Sequence, residues 1–362
     1  MNTIDFLRQH IMKMDSYTPI LPFDVISDQL GIPEDQIIKL DANENPYGPV
    51  PAVSNALAKL PYIHIYPDPE SRKLRHAIAS YNRISFENIL AGAGADELID
   101  LIMRLLLDPE DCILNCPPTF GMYQFDADVN AARVISIPRK KNFEIDIKGI
   151  ETAIQQYQPK ILFLASPNNP DGGLLSDNDL HTLLDMPIIL VLDEAYIDFA
   201  SNSLSKVNLV ANFENLVVLR TFSKWPGLAG LRVGYGVFPD WMMPHLWKIK
   251  QPYNVSLAGS TAAIVSLEYI EQLESRTNLI IAERNRLTQL LQAINWIEPY
   301  PSQANFILCK VIGFDAAIIK GTLARQGILI RYFDKPGLSD HIRISIGKPE
   351  HTDRLVNSLR AF

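Results

Sequence analysis

Three short, unbroken apolar runs constrain the fold of this chain more than any other feature of its sequence. They cover residues 161–165, 188–192 and 216–219, and each is too short for a helix. A continuous apolar run of this length is typical of a strand that is buried on both faces of a parallel sheet. Each run ends just before polar residues, and open α/β sheets bind ligands outside the carboxyl ends of their strands. The runs therefore predict a mostly parallel sheet, covered by helices, with a site at one edge.

Lys224 follows the third run, in a segment that carries two hydroxyls and an arginine. A lysine amine at the end of a strand can form a Schiff base. The hydroxyls of Thr221 and Ser223 can take part in a phosphate shell, which Arg232 can close with a bidentate grip. Pyridoxal phosphate (PLP) is the cofactor that needs both an imine-forming lysine and a phosphate cradle. The alternative is a solvated surface lysine, although lysine is rarely placed among apolar residues without a partner or a role.

The other two runs end in residues that suit the same cofactor. Asp193 follows the run 188–192, and its carboxylate can keep a pyridine nitrogen protonated, while Tyr196 can reach the phenolic oxygen of the ring. The run 161–165 is followed by Asn168 and Asn169 in a turn made rigid by Pro and Gly, where an asparagine amide can donate to the same oxygen. Asp is also a favoured helix cap, and Asn-Pro is an ordinary turn dipeptide, so each residue has a purely structural alternative.

A fourth segment, residues 88–97, places Gly92 and Gly94 before apolar positions at helical spacing. The backbone amides at a helix N-terminus form an anion site. A lone Gly-x-Gly is weak evidence, and Asp96 with Glu97 can simply favour the positive helix end. The segment lacks the third glycine of a dinucleotide fingerprint, and the chain has no Walker Gly-Lys-Ser/Thr loop. Together the four segments favour PLP.

Over nearly its whole length the chain resembles the aminotransferases of PLP fold type I, and within them the histidinol-phosphate aminotransferase family. The segments that carry the resemblance are residues 40–49, 66–68, 117–120, 168–170, 193–196, 221–232 and 342–347. The chain departs from the family pattern at Asp171, which replaces threonine, at Trp225 and Pro226 after the lysine, and at Phe120, where many relatives have tyrosine. None of these changes removes a group that the chemistry needs.

The resemblance implies a role for each site residue. Lys224 would hold the cofactor and move the proton, Asp193 would pair with the pyridine nitrogen, and Phe120 would stack on the ring. At the phenolic oxygen of the cofactor it implies contacts from Asn169 and Tyr196. At the phosphate it implies contacts from Ala95, Asp96, Thr221, Ser223 and Arg232 of the same chain. Tyr66 would reach the phosphate from the partner subunit. The substrate contacts that it implies are Tyr17, Asn43, Arg331 and Arg343. The site would thus be shared between the subunits of a homodimer.

The activity that the resemblance implies is transamination between L-histidinol phosphate and 2-oxoglutarate, a step of histidine biosynthesis. Within the enzymes, the alternatives are an aromatic or broad-range amino-acid aminotransferase and a threonine-phosphate decarboxylase. Outside them, the alternative is an aminotransferase-like binding protein without turnover. The joint presence of Lys224, Asp193 and Arg232 argues against that last class.

Composition and charge limit the cellular compartments and the classes of partner that the sequence favours. A net charge of −8 and the absence of a basic cluster with interleaved aromatics argue against a nucleic-acid surface. No apolar stretch approaches membrane-spanning length, and the N-terminal residues do not read as a signal peptide. The three cysteines form no metal set with histidines, so no metal is expected, and their odd number fits a reducing compartment. We therefore expect a cytoplasmic protein that binds small molecules.

The 362 residues suggest about two domains. Strand runs alternate with helical stretches up to about residue 250, which favours a parallel sheet covered on both faces. Residues 255–293 contain no proline and have Leu and Ile at helical spacing, and shorter strands follow from about residue 295. The prediction is an N-terminal arm (1–39), a PLP-binding large domain (40–254), bridging helices (255–294) and a small α+β C-terminal domain (295–362).

Overall fold

The computed structural model of the protein describes residues 3–16 and 21–362, apart from the side chain of Asn202. Within these residues the chain forms two sheets, one of seven strands and one of five. The strands in chain order are β1 (Ile38–Leu40), β2 (Ile89–Gly92), β3 (Cys112–Asn115), β4 (Arg133–Ser136), β5 (Ile161–Ala165), β6 (Ile189–Asp193), β7 (Leu216–Thr221), β8 (Gly234–Val237), β9 (Ile297–Pro299), β10 (Phe306–Val311), β11 (Ile328–Tyr332) and β12 (His341–Ser345).

The seven-stranded sheet has the order β2-β8-β7-β6-β5-β3-β4. All neighbours from β4 to β7 are parallel, whereas β8 runs antiparallel to both β7 and β2. The three apolar runs form the adjacent central strands β5, β6 and β7. The prediction of a mostly parallel α/β sheet is therefore confirmed.

Helices cover both faces of this sheet. The helices are α1 (Phe23–Leu30), α2 (Pro51–Leu57), α3 (Arg72–Asn82), α4 (Ala95–Leu106), α5 (Met122–Val129), α6 (Ile147–Tyr157), α7 (Asp177–Leu184), α8 (Met243–Ile249), α9 (Leu257–Glu268), α10 (Ile270–Gln292), α11 (Ala316–Arg325) and α12 (Pro349–Leu359). Side chains alternate across the strands, so Phe163 and Val217 pack into a cluster with α4, α5 and α8. Their neighbours Leu162 and Val218 face the opposite way, into the larger core. This double burial explains why the central strands are continuously apolar.

The second sheet has the order β1-β11-β12-β10-β9. Its edge strand β1 comes from the N-terminal part of the chain and pairs in parallel with β11, so that Ile38 lies opposite Ile328. The other three pairs of neighbouring strands, β11 with β12, β12 with β10 and β10 with β9, are antiparallel. Neither β1 nor β9 was expected, because a three-residue strand carries too little periodicity to be recognised in a sequence.

The helical prediction for residues 255–293 is confirmed by α9 and α10. The chain of residues 3–16 and 21–362 has no helix with the combined length and apolar character that a membrane span requires. In the same described part, no group of three or more His, Cys, Asp or Glu side chains could hold a metal ion.

Candidate active site

The carboxyl ends of the central strands bring the predicted residues to one edge of the sheet. Ala165 at the end of β5 lies opposite Asp193 at the end of β6, and Asp193 lies opposite Leu219 of β7. The loops that leave these strands carry Asn169, Tyr196 and Lys224. Parallel pairing thus assembles residues that are far apart in the sequence.

The amine of Lys224 has a lowered pKa, which favours its neutral form. The surrounding protein desolvates the amine and lowers the pKa of Lys224 to about 8, and the positive charge of Arg343 acts in the same direction. The Nζ atom donates a hydrogen bond to the carbonyl oxygen of Ala42 at 3.2 Å and lies 5.9 Å from the ring centroid of Tyr196. A lysine that is partly neutral near physiological pH can act as a nucleophile and as a base.

The lysine loop is packed tightly against the segment that follows β1. Gly227 has a φ of +72°, and a Cβ atom built there would lie 2.8 Å from the carbonyl carbon of Gly48. Asn45 donates from Nδ2 to the carbonyl oxygen of Trp225 at 2.8 Å. The loop therefore requires glycine at position 227, and these contacts hold the backbone around Lys224 in place.

Asp193 is 4% exposed and is hydrogen-bonded at both carboxylate oxygens. The hydroxyl of Tyr123 donates to Oδ2 at 2.7 Å, and the backbone N–H of Ala195 donates to Oδ1 at 3.0 Å. Burial raises the pKa of Asp193 to about 6, although both hydrogen bonds oppose that rise. The carboxylate is thus ionised at neutral pH inside a nearly dry site. The sequence analysis did not identify Tyr123, whose only sequence signal is its position three residues after Phe120.

Tyr196 and Asn43 lie together. Asn43 donates from Nδ2 to the hydroxyl oxygen of Tyr196 at 3.1 Å. Ser345 holds Asn43 through two hydrogen bonds, from the Asn43 backbone N–H to Oγ at 2.9 Å and from Oγ to Oδ1 at 2.8 Å. Asn305 donates from Nδ2 to the Asn43 carbonyl oxygen at 2.9 Å. Ser345 and Asn305 were not identified from the sequence, because both lie far along the chain from the residue that they hold.

Residues around the N-terminus of α4 form a polar cradle. Thr221 accepts a hydrogen bond at Oγ1 from the backbone N–H of Ser223 at 3.0 Å, and the hydroxyl of Ser223 lies 3.5 Å from Nη1 of Arg232. Arg232 also pairs through Nη2 with Asp96 at 2.7 Å. Gly94 has a φ of +86°, and a Cβ atom there would lie 2.7 Å from Nη2 of Arg232. The guanidinium reaches the helix N-terminus only because position 94 has no side chain.

Gly234 in β8 brings the same helix close to the sheet. A Cβ atom at this position would lie 2.6 Å from the backbone nitrogen of Ala95. The first turn of α4, with Ala95 and Asp96, therefore rests on the backbone of β8, next to Thr221 in the neighbouring strand. This contact was not anticipated from the sequence.

Arg343 and Arg331 lie opposite each other in the second sheet. Arg343 is buried, and it donates from Nη1 to Oδ1 of Asn169 at 2.6 Å and from Nη2 to the carbonyl oxygen of Asp41 at 2.7 Å. The ring of Phe333 lies 5.6 Å from the Arg343 guanidinium and 5.8 Å from that of Arg331. Among the described residues Arg331 forms no ion pair. Two guanidinium groups on facing strands favour an anionic ligand.

Asp171 is held within its own turn. It is buried and accepts hydrogen bonds from Nδ2 of Asn168 and, at 2.8 Å, from the backbone N–H of Gly173. Asn168 in turn accepts at Oδ1 from the hydroxyl of Thr119 at 2.8 Å. The carboxylate that replaces the family's threonine thus stabilises the turn that presents Asn169.

Three predicted residues remain to be described: Tyr66, Phe120 and Tyr17. Tyr66 is 79% exposed, and its ring stacks on that of Tyr253 with the centroids 4.6 Å apart. Phe120 contacts Tyr123 edge to face, with the centroids 5.6 Å apart. Tyr17 lies outside the described residues.

Comparison with known proteins identifies the family of this chain. The model of the family "Aminotransferase class I and II" matches residues 35–359. A histidinol-phosphate aminotransferase of Nicotiana plumbaginifolia, named as chloroplastic, is 52% identical over 358 residues, which is 99% of this chain and 86% of the relative. One from Roseiflexus castenholzii is 49% identical over 362 residues, 98% of this chain and 97% of the relative.

A solved structure extends the similarity to the whole fold. The crystal structure of histidinol-phosphate aminotransferase from Sinorhizobium meliloti in complex with pyridoxal-5'-phosphate has a TM-score of 0.90 at 27% identity. The match covers 98% of this chain and 97% of that one. The chain therefore belongs to the aminotransferase class I and II family.

Proposed function

We propose that this chain is a transaminase that converts L-histidinol phosphate and 2-oxoglutarate into 3-(imidazol-4-yl)-2-oxopropyl phosphate and glutamate, a step of histidine biosynthesis. The relatives that are 52% and 49% identical over nearly the whole chain carry this activity in their names. The structural observation that carries the proposal is a lysine of lowered pKa beside a buried carboxylate and two facing arginines.

The residues at the strand ends fit PLP as the cofactor. A Cβ atom at position 94 would collide with the guanidinium of Arg232, so glycine lets Arg232 approach the N-terminus of α4. The guanidinium, the Ser223 hydroxyl and the backbone amides of that N-terminus are the hydrogen-bond donors that a phosphate needs. At the other side of the site, Asp193 is a buried carboxylate that suits a protonated ring nitrogen. When bound, PLP supplies a ring that accepts the electron pair of the broken Cα–H bond of the substrate.

Lys224 would attach the cofactor and carry the proton. At about pH 8 close to half of the Lys224 side chains are neutral, because the pKa of the amine is about 8. A neutral Nζ can take the proton from the substrate Cα, and the ammonium can return it on the other side of the exchange.

Asp193, Asn169 and Tyr196 would orient the ring. An ionised Asp193 stabilises a positive charge on a ring nitrogen, and the low exposure of the site strengthens that attraction. Asn169 and Tyr196 would contact the phenolic oxygen, with Asn43 holding the Tyr196 hydroxyl. The ring of Phe120 would cover one face.

Arg343 and Arg331 would bind the anionic groups of both substrates. Glutamate presents carboxylates and histidinol phosphate presents a phosphate, so one site must accept either anion. Arg343 offers a planar fork that fits a carboxylate in two-point contact, and its position is set by Asn169 and Asp41. Arg331, which has no carboxylate partner among the described residues, supplies the second positive charge, and Tyr17 would join this set.

The proposal includes a homodimer with shared sites. Tyr62, Ile63, Ile65 and Tyr66 form an apolar segment in which every side chain is more than half exposed, from 56% to 79%. Such a patch suits burial against a second copy of the chain, and a dimer would let the hydroxyl of Tyr66 reach the phosphate in the other subunit.

The cytoplasmic assignment and the domain limits also belong to the proposal. All three cysteines are free and buried, which suits a reducing compartment. The plant relatives are named as chloroplastic. The proposed limits near residues 40, 255 and 295 keep the seven-stranded sheet within one domain, whereas β1 (Ile38–Leu40) crosses the first limit and pairs with β11 of the C-terminal part.

Steady-state kinetics with three amines test the proposal. Histidinol phosphate, phenylalanine and threonine phosphate are compared with 2-oxoglutarate as acceptor, and released carbon dioxide is measured in parallel. We expect kcat/KM for histidinol phosphate to exceed that for phenylalanine by about 100-fold or more, since a phosphate offers the two guanidinium groups more charge and more acceptor oxygens than a carboxylate, and a phenyl ring lacks the hydrogen-bonding nitrogens of the imidazole. Equal values would indicate a broad-range aminotransferase, and carbon dioxide from threonine phosphate would indicate the decarboxylase.

A further inference from the structure

Tyr123 is a buried tyrosine that touches two residues of the proposed cofactor site. Its hydroxyl donates to Oδ2 of Asp193 at 2.7 Å, and its ring meets that of Phe120 edge to face at 5.6 Å. On the other side, the ring stacks on Phe163 of β5 with the centroids 5.1 Å apart and the planes at 18°. With no exposed surface, Tyr123 has a position that is set by packing on every side.

The hydroxyl can act only as a donor toward the carboxylate. Burial raises the pKa of Tyr123 well above its ordinary value, and the negative charge of Asp193 adds to that rise, so the phenol stays protonated. A hydrogen bond to a carboxylate favours its ionised form. The other groups that act on Asp193 are the Ala195 N–H and Lys224, which lower its pKa, and Asp96, which raises it. Tyr123, Ala195 and Lys224 thus oppose the effect of burial and keep Asp193 charged.

We propose that Tyr123 is a positioning residue that fixes Asp193 as an ionised partner for the cofactor ring nitrogen and supports Phe120 as its stacking surface. This role rests on the proposed use of PLP and extends it to a residue that contacts both Asp193 and Phe120. Tyr123 acts through Asp193 and Phe120 and touches no reacting atom.

Titration of Asp193 in the ligand-free chain tests the proposal without any substrate. Infrared difference spectra, with Asp193→Asn as the reference that lacks the carboxyl signal, give the midpoint of Asp193 in each variant. In Tyr123→Phe the midpoint is expected to rise from about 6 by about one to two pH units, the effect of losing a hydrogen bond to a charged group. Tyr235→Phe is the matched control, because that hydroxyl is also buried but bonds to Asn82 at 3.0 Å. In Tyr235→Phe the Asp193 midpoint should match that of the unmodified chain.

Affinity for PLP gives a second measure that packing alone would not reproduce. At about pH 7, Tyr123→Phe should weaken PLP binding by about 10-fold in the native background and by less than about 3-fold in the Asp193→Asn background. An equal loss in both backgrounds, or an unmoved Asp193 midpoint, would overturn the proposal. A wrong substrate assignment would affect neither result.

A measurement on the unmodified chain covers the case in which Tyr123→Phe does not fold. With an isotope label at the tyrosine Cζ carbons, one tyrosine resonance should titrate with the Asp193 midpoint, and that dependence should vanish in Asp193→Asn. If no tyrosine follows the midpoint, the hydrogen bond is absent and the proposal fails.

Discussion

Asp193→Asn is expected to make the ligand-free protein more stable while it impairs catalysis. Asp193 is 4% exposed, and burial raises its pKa from 3.8 to about 6. A rise of about two pH units corresponds to about 3 kcal/mol by which the ionised form disfavours the folded state. Because the folded pKa lies above the unfolded one, this cost is absent below about pH 4 and complete above about pH 6.

In the variant the amide oxygen can still accept from the Ala195 N–H, while the NH2 group replaces Oδ2 and can donate to the Tyr123 oxygen, and the side chain carries no charge. We therefore expect the free energy of unfolding at about pH 8 to exceed that of the unmodified chain by about 1–3 kcal/mol, and the difference to disappear near pH 4. Urea unfolding of both ligand-free proteins at the two pH values measures it. Asp177→Asn, which removes an exposed carboxylate paired with Lys206, is the control and should change stability by less than about 1 kcal/mol.

Two outcomes would refute this reasoning. A variant that is less stable than the unmodified chain at about pH 8 would mean that the charge of Asp193 is compensated in the ligand-free fold. A difference that is equal at both pH values would mean that the effect comes from packing rather than ionisation.

Three further substitutions test other parts of the site. Arg343→Lys should lower kcat/KM for glutamate by about 10- to 100-fold, because an ammonium cannot replace the planar fork, whereas PLP should remain bound; loss of PLP with unchanged glutamate kinetics would move Arg343 out of the substrate site. Gly94→Ala should weaken PLP binding by at least about 10-fold, because its Cβ would displace Arg232. The control Gly230→Ala, whose Cβ meets nothing within 4 Å, should bind PLP normally. Equal PLP binding by the two variants would place the phosphate elsewhere. Tyr66→Phe should retain PLP less well, and mixing it with Lys224→Ala should restore part of the activity in heterodimers; confirmed heterodimers without activity would argue against a shared site.

The central sheet was predictable from the sequence because its signal is local. Strands β5, β6 and β7 are apolar on both faces, so unbroken runs mark them without any knowledge of their neighbours. The polar residues that follow each run then share one edge, because parallel strands end on the same side. The strand β1 could not be found in this way. It has three residues, and its pairing with β11 depends on chain almost three hundred residues away.

The hydrogen bonds that hold the site residues in place also could not be predicted from the sequence. Tyr123 reaches Asp193 across 70 positions, and Ser345 reaches Asn43 across 302, and no local pattern records either pair. Asp171 illustrates the opposite case. Its type and place suggested a departure from the family near the site, but its hydrogen bonds to Asn168 and Gly173 make it part of the turn.

Transfer of labelled nitrogen tests the central claim most directly. Histidinol phosphate that carries a heavy nitrogen isotope at its amine is incubated with 2-oxoglutarate, PLP and the protein, and glutamate is analysed for the label. The account predicts labelled glutamate and an equal amount of the keto phosphate with the unmodified chain, and neither product with Lys224→Ala, which lacks the amine that carries the proton. The absence of labelled glutamate with the unmodified chain, or labelled glutamate formed at the same rate by Lys224→Ala, would contradict it.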